Sequence, residues 1–261
     1  MTPRAPAPNF IEAHKSGWPR LAVDRMIRGR MRSGLSSVRA QGIIELRSAL
    51  ESDATGVVFV ANHSCWWDLF LAHFLNESIP VDGYGMMMHE NLRRFGFFRR
   101  IGAFSIDRSS PSGIKASLDY TARLLARPRT GVWIFPQGKI ESNDARPLEF
   151  EKGLRTLVRR MGRARLVPTA LRYDFWQEER PEACVRFGTP TFVEPSDRLL
   201  DDWRDRVTAE LDQLRLEMLS QDPTRFVSLM RGRASISESR GRLLDRLRRS
   251  PGRERPTTED R

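Results

Sequence analysis

The run Val57-Val58-Phe59-Val60-Ala61, introduced by Gly56 and stopped by Asn62, constrains the fold of this chain more than any other stretch. Side chains of a strand alternate between its two faces, so a β-branched and aromatic run with no polar residue reads as a strand buried on both sides. The next apolar segment, Trp66-Trp67-Asp68-Leu69-Phe70-Leu71, reads as the start of a helix. Between them stands Asn62-His63-Ser64. His63 is therefore expected at the C-terminal end of a strand, the edge of an open α/β sheet where loops converge and ligands bind.

The same alternation recurs along the chain. Residues 84–88, 102–108, 132–135, 165–173 and 183–187 read as strands, while residues 112–126, 150–162 and 195–220 carry apolar positions at helical spacing. Ser112 is the expected N-cap of the first of these helices. Strands alternating with helices predict an α/β fold, a mainly parallel twisted sheet flanked by helices. An N-terminal helical extension and a long C-terminal helix followed by a basic tail complete the expected layout. The divisions expected are residues 1–50, a basic amphipathic helical region; 51–230, the α/β domain; and 231–261, a basic and partly disordered tail.

Charge is placed unevenly. Residues 1–50 hold nine Lys or Arg against three acids and residues 231–261 hold ten against five, so head and tail carry the whole net charge of +11 around a neutral middle. Basic arms of this kind suit an anionic surface, phospholipid or nucleic acid, or are simply solvated. In residues 19–32, Leu21, Met26 and Ile27 share one side of a helix among arginines, a stripe that fits either a membrane interface or packing on the main domain. Residues 91–100 mix phenylalanines with arginines and carry the same two readings. Two cysteines, Cys65 and Cys184, make no disulfide framework, and there is no signal-like apolar core and no apolar run of about 18 residues. The expected setting is cytoplasmic and peripheral on the inner face of the cell membrane, reached through the N-terminal helix and the basic arms.

Several familiar chemistries find no support. The Gly138-Lys139 pair is not a P-loop, since Ile140 stands where Ser or Thr is needed; no nucleophile elbow and no complete dinucleotide fingerprint occur. His63, Asp68 and His73 fan out around a helix, so no metal triad is expected, and His73 reads as a structural histidine. Arg108, at the end of a strand, is a natural fork for phosphate or carboxylate, or a partner of Asp107. Pro136 and Gly138 end another strand in a loop that a ligand can approach closely.

In order, these residues resemble the PlsC-like, or lysophosphatidic acid acyltransferase-like, glycerolipid acyltransferases. Asn62-His63-Ser64 with Asp68 resembles the family's His-x4-Asp block, Gly102 to Arg108 its second block, Phe135-Pro136-Gln137-Gly138-Lys139 its Phe-Pro-Glu-Gly-Thr-Arg block, and Val167-Pro168-Thr169-Ala170 its Val-Pro-Val-Ala block. The resemblance implies an O-acyltransferase moving a fatty acyl group from acyl-CoA or acyl-ACP to a lipid hydroxyl, with the thioester as co-substrate and no cofactor or metal. His63 is then the general base and Asp68 its orienting carboxylate, with Asn62, Arg108, Gln137, Gly138 and Lys139 expected at the substrate. The chain departs from the pattern at Gln137 and Ile140, where the family has Glu and Arg, which puts lysophosphatidate in doubt as acceptor. A Cys65 nucleophile paired with His63 is geometrically awkward. The rival reading is a non-catalytic module that holds a membrane or nucleic acid through its basic arms.

Overall fold

The computed structural model describes residues 10–15, 17–176 and 178–233. Most of the tail expected at residues 231–261 lies outside the described residues. Helix α1 (Gly17–Gly34) leads to strand β1 (Ser37–Gln41) and helix α2 (Ile43–Ser52). The apolar run follows as β2 (Val57–Ala61), then α3 (Asp68–Leu75), β3 (Asp82–Met88), α4 (His89–Arg94), a 3-10 turn at Gly96–Ile101, and β4 (Ala103–Ile106). Next come α5 (Pro111–Leu125), β5 (Thr130–Ile134), α6 (Gly153–Met161), β6 (Ala164–Asp174), β7 (Glu182–Phe187), β8 (Thr191–Val193), α7 (Leu199–Leu219) and β9 (Val227–Arg231).

All described strands join one sheet in the order β4-β3-β5-β2-β6-β7-β1-β9, with β8 paired to β6. The block from β4 to β6 is parallel throughout. β7 and β8 run antiparallel to β6, and β9 antiparallel to β1. Every residue of β2 is buried, as its composition requires. Val57, Phe59 and Ala61 pack with α1, α2 and α3, while Val58 and Val60 pack with α5, α6 and the first half of α7. Helices thus cover both faces, and burial of each large apolar side chain contributes about 1.5–3 kcal/mol.

Two local expectations change. Residues 1–50, read as a helical region, also supply β1, which pairs with β7 and β9 inside the sheet. Val38 and Ala40 reach the core from a strand whose other positions are polar, which hides it from an apolar-run search. Helix α5 is capped by Ser110, whose hydroxyl accepts from the Gly113 N–H at 2.9 Å. Pro111 takes the first helical position, where a missing N–H costs nothing, so Ser112 falls within the first turn.

Candidate active site

Because β2, β3, β4, β5 and β6 are mutually parallel, their C-terminal ends open on one edge. His63 lies just beyond β2, Arg108 just beyond β4, and Pro136 to Ile140 just beyond β5. These loops surround a cavity of about 420 Å³ lined by His63, Arg108, Gly138 and Ile140, with Leu69, Met86, Met87, Phe95, Phe98, Ile114 and Leu118 among its apolar walls. Phe98 belongs to the aromatic and arginine-rich stretch, and it packs inward against Phe70 with ring centroids 5.3 Å apart.

Asp68 is fully buried at the first position of α3. Its Oδ2 accepts from His63 Nδ1 at 2.7 Å and from the backbone N–H groups of Ser64 and Cys65 at 2.7 and 3.0 Å. Its Oδ1 accepts from the Tyr173 hydroxyl at 2.8 Å. The loop between strand and helix therefore closes around the carboxylate, and the imidazole is held by its Nδ1 side with Nε2 left for a ligand. Phe135 packs beside the imidazole with ring centroids 4.8 Å apart. Tyr173, at the end of β6, was not singled out in the sequence. Its only sequence signal is a polar tip closing an apolar strand. Burial drives its phenol well above the usual value, so it stays a proton donor. Burial likewise raises the Cys65 thiol, and the Asp68 charge adds to this, which opposes a thiolate nucleophile.

The remaining expected site residues divide. Arg108 and Gly138 line the cavity. Arg108 Nη1 donates to the Gly138 carbonyl at 2.8 Å and its Nη2 pairs with Glu151. Asn62, Gln137 and Lys139 do not line it. Asn62 is 2% exposed and clasps β6, accepting from Leu171 N at 2.7 Å and donating to Leu171 O at 2.9 Å. Gln137 is 3% exposed; its Oε1 accepts from the His63 N–H at 2.7 Å and its Nε2 donates to Glu141 at 2.7 Å. Both amides tie the loop ends together, because a buried polar group must find partners. Lys139 lies between Glu141 and Glu149, 2.9 Å from each. His73, at the far end of α3, bonds Asp24 of α1 at 2.8 Å and takes no part in the cavity.

The parallel half of the sheet thus carries an oriented histidine at the mouth of a largely apolar cavity on its C-terminal edge. An acyltransferase family model matches residues 38–172, more than half of the chain, and the chain belongs to that acyltransferase family. The fold is similar to the crystal structure of the 1-acyl-sn-glycerophosphate (LPA) acyltransferase PlsC from Thermotoga maritima. The TM-score is 0.51 at 14% identity, over 75% of this chain and 81% of that one. No curated protein matches by sequence. No helix among the described residues is long and apolar enough to cross a membrane.

Proposed function

We propose that the protein transfers a fatty acyl group from an acyl thioester, acyl-CoA or acyl-ACP, to the hydroxyl of a lipid acceptor, with His63 as general base. The observation that carries this is the 2.7 Å bond from His63 Nδ1 to buried Asp68 at the mouth of an apolar cavity. Nε2 takes the proton of the acceptor hydroxyl as its oxygen attacks the thioester carbon. Asp68 fixes the tautomer and stabilises the imidazolium that results. Collapse of the tetrahedral intermediate expels the thiolate, which recovers the proton from His63, so ester and free thiol leave together. The apolar wall of Leu69, Met87, Phe95 and Phe98 suits the acyl chain. The thioester brings its own activation, so no metal or other cofactor is required.

The test is incubation with labelled acyl-CoA or acyl-ACP and a total lipid extract, comparing wild type with His63→Ala. Loss of a general base lowers transfer by roughly a hundredfold to ten-thousandfold. Equal transfer by both proteins overturns the mechanism.

The same reading places the protein peripherally on the cytoplasmic face of the cell membrane. Its support is α1, where Trp18 and Leu21 are 78% and 69% exposed beside Arg20, Arg25 and Arg28. An amphipathic helix with exposed apolar residues and a basic rim suits an anionic bilayer.

A further inference from the structure

Resting on the acyl-transfer reading, we propose that the acceptor is an uncharged hydroxyl lipid rather than a phosphate monoester, and that Glu151 sets this preference by neutralising Arg108. Arg108 already has partners before any substrate arrives. Its Nη1 is taken by the Gly138 carbonyl at 2.8 Å and its Nη2 by the Glu151 carboxylate. Gly138 has a φ of +66°, and a Cβ there would stand 2.6 Å from Arg108 Nη1, so glycine is what lets the guanidinium approach. Glu151 is anchored in turn, its own N–H donating to the Pro136 carbonyl at 2.8 Å. A phosphate monoester is gripped by a free guanidinium fork. Here it must displace a carboxylate already in that fork and then sit against it.

Among the described residues that line the cavity, Lys152 is the only Lys or Arg besides Arg108. Lys139 is shared by Glu141 and Glu149. Lys152 lines the cavity with an exposed side chain, so its charge is largely screened by water. Within this group the charges of Arg108, Lys139 and Lys152 are balanced in number by Glu141, Glu149 and Glu151. Ile140, 54% exposed, offers an apolar contact at the cavity rim in place of a charge.

The experiment compares detergent-dispersed monooleoylglycerol with oleoyl lysophosphatidate as acceptors, with labelled acyl-CoA, for the full chain and for Glu151→Gln. Wild type is expected to favour the neutral acceptor by at least about tenfold in kcat/KM. Glu151→Gln is expected to shift that ratio about tenfold towards lysophosphatidate, mainly through its KM. A wild-type preference for lysophosphatidate overturns the acceptor class; an unchanged ratio in the variant overturns the role of Glu151. A lipid-extract reaction run alongside separates the two readings. Acylated anionic lipid as its main product rejects the neutral acceptor alone, whereas no acylated product at all rejects acyl transfer itself.

Discussion

Asp68 is the most heavily committed side chain of the site, accepting four hydrogen bonds on two oxygens. Asp68→Asn puts an amide NH2 where donors already point, so it disturbs both the loop and the tautomer of His63. Under the acyl-transfer reading, kcat is expected to fall on the order of a thousandfold with KM little changed, measured by steady-state kinetics. Tyr173→Phe removes one donor from the buried carboxylate and is expected to lower stability by about 1–3 kcal/mol in urea unfolding. His63 and Asp68 were legible because they are five residues apart and their pairing is a local matter. Tyr173 was not, since it reaches Asp68 only through the pairing of β6 with β2. Asn62 and Gln137 show the converse difficulty. A polar residue at a strand end reads as a ligand contact, and only burial reveals that its amide points inward to tie loops.

At the scale of elements, α1 and α3 are joined by the bond between His73 and Asp24. Burial depresses the pKa of His73 below its ordinary 6.5, outweighing the pull of Asp24. The unfolded chain then binds the proton more readily, so stability declines as pH falls below about 6.5. Thermal midpoints measured between about pH 7 and pH 5 are expected to fall less steeply in His73→Gln than in wild type. The outward face of α1 needs a gentler probe than deletion, because Ile27 and Met31 of the same helix are core residues. Replacing Trp18 and Leu21 by serine is expected to weaken sedimentation with anionic liposomes, while leaving the thermal midpoint in place. Strands β2, β5 and β6 could be read because each carries a run of largely apolar, buried residues. β1 and β9 interleave Val, Ala, Leu and Met with Arg, Ser and Gln, as strands near a sheet edge do, and composition alone did not separate them from loop.

For the whole molecule, the layered architecture was legible from the alternation of elements, but the strand order was not. Insertion of β5 between β2 and β3 depends on which crossovers pack, a property of no single segment. Phe59 stands near the centre of that order, stacked on Trp133 with centroids 4.6 Å apart. Phe59→Ala is expected to destabilise the fold by about 3–5 kcal/mol, read as an earlier urea midpoint. The order also fixes when competence can arise during synthesis. β2 waits for neighbours encoded roughly seventy and roughly a hundred residues downstream. Leu171, which bonds Asn62, and Tyr173, which bonds Asp68, belong to β6, and Gln137, which accepts from the His63 N–H, follows β5. A nascent chain that stops before β6 therefore leaves one edge of its most apolar strand open and Asn62 without its Leu171 partner. Completion of the sheet also completes the hydrogen bonds that hold the site.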